Sequence, residues 1–285
     1  MINKKVDFMA MVEVSYANPN GDPLGGNMPR TDANGYGLIS DVAIKRKIRN
    51  RMQDMGYPIF VQSRDRIEDE FKSLQARFES EFKKGDSDKE IEEGANAKWL
   101  DVRSFGQVIT FLKKSIGIRG PISISIAKSL MPITSTTMQI TRSTNGMEAK
   151  NDSGRSSDTM GTKHFVNHAV YVIYGSVNAY FAEKTGFSEE DLAIIKECLL
   201  TLFENDASSA RPEGSMAVRD VFWFNHGSKL GTVSSAKIRD LLQWEEPQVE
   251  ANHPVSYSDY HIRLDEKKLA EYEAQGLTVE YLSGK

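Results

Sequence analysis

Residues 6–16 form a hydrophobic stretch that only Asp7 and Glu13 interrupt with charge. An almost continuous apolar run is typical of a strand that is buried on both faces of a sheet. A second pattern begins at Ser40, after which apolar residues recur at helical spacing: Ile44, Ile48, Met52 and Met55. Because Ser40 is a good N-cap, the sequence predicts an amphipathic helix whose apolar face enters the core.

The next segment, residues 59–100, is rich in charge but retains a narrow apolar stripe. Over residues 64–84 the apolar positions recur at helical intervals: Ile67, Phe71, Leu74, Phe78 and Phe82. This spacing predicts a docked amphipathic helix, and a capping box of Ser87 and Glu90 predicts a second helix behind it. We therefore interpret residues 59–100 as a helical insertion on the main domain.

Strand and helix patterns alternate in the remaining sequence. Helices are expected after Ser188, which forms a capping box with Asp191, and after Ser235. The second of these helices spans 236–244, and strands are expected at 105–112, 116–126, 134–140, 164–177, 218–224 and after a linker at 247–254. Without the insertion, the order strand, helix, two strands, helix, strand matches the ferredoxin-like βαββαβ pattern of an α+β fold, on which many RNA-binding modules are built.

Two polar segments interrupt this order. Residues 18–39 contain five glycines and three prolines, which predicts a long exposed loop without regular structure. Long loops inside compact domains are usually functional or disordered, and a loop that ends on a well-marked helix start favours function. Residues 141–163 are almost wholly polar, which predicts an extended hairpin that projects from the body.

The helix that follows the glycine-rich loop carries a basic flank. Its positive residues outside the apolar face are Lys45, Arg46, Lys47, Arg49 and Arg51. A charge run is often only a solvated helix surface, but beside a glycine-rich loop it also suits binding of a phosphate backbone. Charge alone leaves both interpretations open.

Composition limits the function further. A net charge of −4 and a pI of about 5.8 argue against a protein that coats nucleic acid indiscriminately, so a binder of this composition concentrates its cations. The single cysteine, Cys198, excludes an internal disulfide framework and lies among aliphatic residues, which favours a packing role. With no apolar run of membrane-spanning length and no signal-peptide pattern, we expect a cytoplasmic protein without membrane contacts.

Cofactor and metal chemistries fit the sequence poorly. Residues 35–40 imitate a dinucleotide fingerprint, but serine replaces the third glycine and the preceding strand ends too early. His164 and His168 lack a nearby third metal ligand, so two half-buried strand histidines are the better interpretation. The sequence therefore predicts no cofactor and no metal.

One enzyme alternative is a metal-dependent ribonuclease that uses the loop carboxylates Asp22 and Asp32. Divalent metals need clustered acids beside phosphate, and the loop supplies two. The plain interpretation of both residues is turn formation, because their Asp-Pro and Asn-Gly neighbours favour turns.

Three motifs in this region carry a resemblance to a known family. They are N-P-N-G-D-P at 18–23, P-R-T-D-A-N-G-Y-G-L-I-S-D at 29–41 and A-I-K-R-K-I-R-N at 43–50. The chain resembles the backbone subunit of the type I-C CRISPR surveillance complex, Cascade, in the Csd-two-like branch of the Cas7 family. The likeness continues through residues 101–106, 120–132 and 206–212 and so extends over most of the chain.

The resemblance implies a non-catalytic subunit that binds guide RNA (crRNA). Copies would polymerise head to tail along the spacer as a helical backbone, beside other Cascade subunits, and would present the guide for pairing with target DNA in antiviral defence. The implied domains are an RRM-like palm at 1–58 and 101–285, helical fingers at 59–100 and a hairpin thumb at 141–163. A subunit that serves any guide must hold phosphate and sugar, which carry no sequence.

The resemblance also implies which residues contact RNA. They lie in the loop, the helix flank and the thumb: Asn18, Asn20, Arg30, Ser40, Lys45, Arg46, Arg49, Arg142 and Lys163. Met147 or Met160 of the thumb would wedge against a displaced base. Related subunits of type III complexes use a loop aspartate to cut target RNA, whereas the type I branch binds without cutting.

Overall fold

The computed structural model describes residues 1–141, 160–248 and 255–285. In these ranges the strands are β1 (Val6–Ala17), β2 (Gly21–Asp22), β3 (Met28–Pro29), β4 (Tyr36–Ile39), β5 (Gly106–Ile109), β6 (Ile116–Arg119), β7 (Ile122–Ile124), β8 (Ala127–Pro132), β9 (Ser135–Thr141), β10 (Met160–Val177), β11 (Met216–Asn225), β12 (Leu242–Gln243), β13 (Arg263–Leu264) and β14 (Thr278–Ser283). The helices are α1 (Asp41–Asp54), α2 (Leu74–Glu79), α3 (Asp88–Lys98), α4 (Leu100–Phe105), α5 (Ala179–Thr185), α6 (Glu189–Leu200), α7 (Ser235–Arg239) and α8 (Glu266–Glu273).

The main sheet has the strand order β14-β11-β1-β10-β8-β4, and β7 and β9 also pair with β10. Every pairing in it is antiparallel. Since β1 and β8 both run opposite to β10, they are parallel to each other, and α1 lies in the connection between them. By the same reasoning β10 and β11 are parallel and are connected through α5 and α6. The α+β fold with an antiparallel sheet is therefore confirmed, and two interleaved βαβ units are consistent with an RRM-like palm.

Both faces of the sheet's central strands are buried. On one face Phe8, Ala10 and Val12 of β1 pack in a cluster with apolar residues of α1 and α6. On the other face Met9 and Met11 pack with residues of β11, α7 and α8. This explains the continuous apolar run of β1, which was predicted as a central strand. An ordinary RRM binds RNA on an open sheet face, and here the helices cover both faces.

The glycine-rich segment is more ordered than the pattern predicts. The expectation of a loop without regular structure over residues 18–39 is wrong, because β2 pairs with β3 in a small hairpin and β4 joins the edge of the main sheet beside β8. Gly37 makes the second contact possible. A Cβ atom at Gly37 would lie 2.2 Å from the hydroxyl oxygen of the buried Tyr171. The glycine at this position therefore serves close packing.

Residues 59–100 differ from prediction in their first helix. A helix over residues 64–84 is wrong, since only α2 is helical there apart from one 3₁₀ turn. The buried guanidinium of Arg77 donates to Asp69 and to the backbone carbonyls of Phe60 and Phe71, which stabilises an irregular path. The second helix and its capping box of Ser87 with Glu90 are confirmed as α3.

A separate hydrophobic cluster lies in and beyond residues 59–100. It contains Phe60, Phe78, Trp99, Val102 and Ile118, so it continues past residue 100, where the sequence placed the end of the insertion. Part of the strand expected at 105–112 is also absent, because α4 extends to Phe105 and β5 is short. The hairpin of β5 and β6 thus packs with residues 59–100.

In the second half, α6 with its capping box of Ser188 and Asp191 is confirmed. The helix expected over residues 236–244 is shorter, because Ser234 caps α7 and Leu242 pairs with β13 instead. No helix was predicted at the position of α8. A hairpin stem is present, since β9 pairs with β10 from Ser135 opposite Val166 to Thr141 opposite Met160, and its role as a thumb stays a prediction. Its tip, with Arg142 and Met147, and residues 249–254 lie outside the described residues.

Candidate nucleic-acid interface

A polar cleft of about 330 Å³ crosses the surface of α1. One wall is the segment 63–66 at the base of the fingers, and the other is the segment 205–211 that follows α6. The floor is a helical face: Ala43, Arg46, Lys47 and Asn50. Residues at these spacings lie on one side of a helix, and the buried Ile44, Ile48 and Met52 occupy another side. Burial of the apolar side therefore fixes the polar side in the cleft.

Lys47 does not belong to a free basic flank, as the sequence had suggested. It is only 6% exposed and forms an ion pair with Asp206 at the edge of the cleft. Its ammonium also lies 5.3 Å from the centre of the Phe203 ring. Burial lowers the pKa of Lys47, and the charge of Asp206 opposes that shift. The lysine is therefore a buried charge whose partner faces the cleft.

The other flank residues are also engaged. Arg46 lines the cleft and donates from Nη2 to the carbonyl oxygen of Val61 at 2.7 Å. Burial, followed by the charge of Arg49, lowers the pKa of Arg46. Arg49 turns away from the cleft and donates to Asp101 at 2.9 Å. Lys45 forms an ion pair with Asp41 at 3.2 Å, within the first turns of α1.

The predicted loop residues gather at the start of α1. The Oδ1 atom of Asn20 accepts a hydrogen bond from the backbone N–H of Ser40 at 2.9 Å, and Asn20 also lines the cleft. Ser40 caps α1 by accepting from the N–H of Ala43 at 3.3 Å. Asn18 is buried and donates to the carbonyl oxygen of Asn27, while Arg30 lies 3.6 Å from Asp22. These side chains position the loop, and their contacts with RNA stay a prediction.

Two cations of the cleft were missed by the sequence reasoning. Arg66 forms an ion pair with Asp54 at 2.7 Å and donates to the carbonyl oxygen of Asn205. Arg211 donates to the carbonyl oxygen of Asn18 at 3.4 Å, and its Nε lies 3.8 Å from Asp206. The resemblance over residues 206–212 pointed to this segment. No local pattern could show that it folds against α1.

The loop carboxylates act in separate turns. Asp22 Oδ1 accepts from the N–H of Leu24 at 3.1 Å. Asp32 Oδ1 accepts from the N–H groups of Asn34 and Tyr36, and its Oδ2 pairs with Lys128 at 2.8 Å. The bond from Lys128 is the main cause that lowers the pKa of Asp32. Within the described part of the chain, no group of three or more His, Cys, Asp or Glu residues is arranged to hold a metal ion.

The remaining predicted residues lie on the hairpin stem. Met160 is exposed and its sulfur accepts from Nε2 of Gln139 at 2.9 Å. Lys163 is half-buried opposite Met138. The two strand histidines have protein partners, since His164 contacts Thr137 and His168 contacts Glu13. In the described ranges, none of the helices has the length and apolar character needed to cross a bilayer.

Comparison with known proteins identifies relatives. The family profile for CRISPR-associated protein Cas7 matches residues 4–265. A curated CRISPR-associated protein Cas7 from Haloferax volcanii is 41% identical over 56 residues, which are 19% of this chain and 16% of that protein. Two solved chains are titled CRISPR RNA-guided surveillance complex, one of them pre-nicking. The pre-nicking chain has a TM-score of 0.48 at 15% identity over 95% of this chain and 87% of its own length. The other solved chain has a TM-score of 0.49 at 14% identity, over 99% of this chain and 89% of its own length.

Proposed function

Because the chain belongs to the Cas7 family of CRISPR-associated proteins, we propose that it binds guide RNA along the cleft on α1 as a backbone subunit of a CRISPR surveillance complex. Backbone subunits of this family in Cascade bind crRNA and are non-catalytic. We assign the same non-catalytic role to this chain. The motifs over residues 18–50 favour the type I-C complex as the finer assignment.

The observation that carries this proposal is the charge of the cleft. Its lining holds four cations, Arg46, Lys47, Arg66 and Arg211, against two carboxylates, Asp65 and Asp206. The whole chain has a net charge of −4, so this excess of positive charge is local. Amide and hydroxyl groups fill the remaining polar lining: Asn20, Asn50, Ser63, Asn205 and Ser208. Cations and neutral donors suit phosphate and ribose, which a subunit must hold whatever the guide sequence.

The covered sheet supports the same location. Helices bury both faces of the sheet's central strands, so an RNA strand has no open face to stack on there. The RNA path that we propose runs from the cleft past Asn20 toward the hairpin, where Lys163 and Arg142 would add phosphate contacts. Met160 and Met147 are proposed wedges against a displaced base. Further copies would continue along the same RNA, and the guide would stay free to pair with target DNA.

Salt dependence of RNA binding tests the cleft. In the double variant Arg66→Gln and Arg211→Gln, the slope of log affinity against log salt should fall by about 0.7 for each lost phosphate contact with single-stranded RNA. The matched control is Lys89→Gln with Lys267→Gln, which neutralises two exposed lysines far from the cleft lining. Urea unfolding checks that both variants remain folded. Equal affinity and equal slope in the two double variants would overturn the cleft assignment.

A further inference from the structure

One carboxylate of the cleft has acceptor capacity that the protein does not use. The Oδ2 atom of Asp206 accepts from the ammonium of Lys47 and lies 3.8 Å from Nε of Arg211. Its Oδ1 atom has no hydrogen bond with any described residue and is accessible to solvent. A carboxylate oxygen can accept about two hydrogen bonds. Asp206 therefore offers a free acceptor atom to a ligand in the cleft that it lines.

This carboxylate is also fixed in its place. Lys47 is only 6% exposed, so its ammonium has little water to pair with and holds Asp206 at the wall of the cleft. Asp65 on the opposite wall differs, because it is exposed and forms no ion pair with the described residues. An exposed acid can turn into solvent when an anion arrives. Asp206 cannot leave the cleft without breaking the pair with a buried charge, which is costly.

A fixed carboxylate beside a nucleic-acid strand discriminates between the groups of that strand. Phosphate oxygens are negative, so they are repelled by Asp206 and attracted by Arg46, Arg66 and Arg211 in the same lining. The ribose 2′-hydroxyl of RNA can donate a hydrogen bond to a carboxylate, and this hydroxyl is what distinguishes RNA from DNA. Deoxyribose has no donor at that position. A bound DNA strand would therefore displace water from the carboxylate without replacing its hydrogen bond.

We propose that the cleft selects RNA over DNA because Asp206 accepts a hydrogen bond from a ribose 2′-hydroxyl. The inference rests on the proposed function and names the residue that sets the substrate class of the same cleft. Base edges take no part in this contact, so the selection holds for any guide sequence. Lys47 is a positioning residue, because it fixes the carboxylate that meets the sugar.

Three single strands of one sequence test the selection. The sequence contains only adenine and cytosine, so the RNA and DNA strands differ in the sugar alone. The third strand is 2′-fluoro RNA, which keeps an RNA-like sugar but cannot donate from the 2′ position. The parent chain should bind RNA at least about tenfold more tightly than either other strand, which is the effect of one hydrogen bond to a charged group. Equal affinities for RNA and 2′-fluoro RNA would overturn the inference without the need for any variant.

The variant Asp206→Asn assigns the selection to this residue. Its amide oxygen can still accept from Lys47, which leaves the amide NH₂ group for the ligand. A neutral donor suits the backbone of any strand, so the affinities for DNA and 2′-fluoro RNA should rise while the affinity for RNA stays close to that of the parent. The preference for RNA should fall below about threefold. Urea unfolding checks that the variant is folded, and an unchanged preference would overturn the role of Asp206.

The matched control is Glu204→Gln, which makes the same change of charge nearby. Glu204 pairs with Arg51 at 3.1 Å and lies outside the cleft lining. This variant should raise all three affinities alike and keep the preference for RNA. Equal loss of the preference in both variants would show a general effect of charge and would overturn the contact. A parent chain that binds none of the strands overturns the proposed function and the inference with it, whereas tight and equal binding of all three overturns the inference alone.

Discussion

Two ion pairs made by α1 differ in what surrounds their carboxylates. Arg49 pairs with Asp101, which is fully buried and also accepts from the N–H groups of Phe60 at 2.7 Å and Val61 at 3.1 Å. Lys47 pairs with Asp206, whose side chain is 13% exposed and lines the cleft. The first pair joins α1 to α4 and to the backbone at residues 60–61. The second leaves one carboxylate facing the space where a ligand would lie.

The comparison explains why a basic run in the sequence cannot separate structure from binding. Lys47 and Arg49 belong to the same run, yet their partners are distant in sequence and differ in burial. A buried carboxylate with several donors has its acceptor capacity used within the protein. A carboxylate at the edge of a cleft can still accept hydrogen bonds from a ligand. The number of donors around each carboxylate therefore distinguishes a cation that stabilises the fold from a cation that lies at a binding cleft.

The largest loss of stability is expected when the buried pair of Arg49 and Asp101 is broken. Asp101→Ala leaves the guanidinium of Arg49 and two backbone N–H groups without their acceptor, and loss of one partner of a buried pair costs about 3–5 kcal/mol. Urea unfolding followed by fluorescence measures the loss. The matched control is Asp88→Ala, whose carboxylate is 67% exposed and pairs with Lys114 on the surface. It should lose less than about 1 kcal/mol. Equal losses would show that the Asp101 pair does not hold α1 to α4.

An intermediate effect is expected at the cleft pair. Lys47→Met should lower the free energy of unfolding by about 1–3 kcal/mol, because Asp206 loses its main donor. Adding Asp206→Asn should recover most of that stability, since the unpaired charge is gone. RNA binding should recover with it, because Lys47 is buried and the double variant removes one positive and one negative charge of the cleft together.

The same assay on Arg49→Met sharpens the contrast. Arg49 was implied as an RNA contact, but it lies outside the cleft lining. Its loss should destabilise the fold and leave the salt slope of binding unchanged. No recovery of RNA affinity in Lys47→Met with Asp206→Asn, or a lower slope in Arg49→Met, would contradict the division between the two pairs.

Local signals predicted the elements that depend on neighbours in sequence. The apolar run of β1, the Ser40 cap of α1 and the capping box at Ser188 all appear where expected. Each needs only residues within one turn or one strand. The fold class also followed, because the order of these elements is a sequence property.

Other features depend on contacts that no local pattern contains. The irregular path before α2 exists because Arg77 reaches the carbonyl of Phe60, which hydrophobic spacing cannot indicate. The cleft joins Arg46 to Arg211 across the fold. Of the implied RNA contacts, Arg46 and Asn20 line the cleft, whereas Asn18 is buried and Arg49 turns away. The structure therefore separates the implied residues by their position around α1, and their contacts with RNA stay predictions.

The smallest effect of substitution is expected at the loop carboxylates, Asp22 and Asp32, which belong to neither of the two ion pairs. Asp22 and Asp32 each accept backbone hydrogen bonds in their own turn, and Lys128 occupies the second oxygen of Asp32. A ribonuclease would need their oxygens to converge on a metal ion beside phosphate. The double variant Asp22→Asn with Asp32→Asn keeps an acceptor oxygen in each turn, so the fold should persist. Incubated with guide, complementary RNA or DNA, and Mg²⁺ or Mn²⁺, variant and parent should both leave the strands intact. Cleavage by the parent that disappears in the variant would instead establish the ribonuclease alternative, because the substitution removes the charge that binds metal and leaves the turns in place.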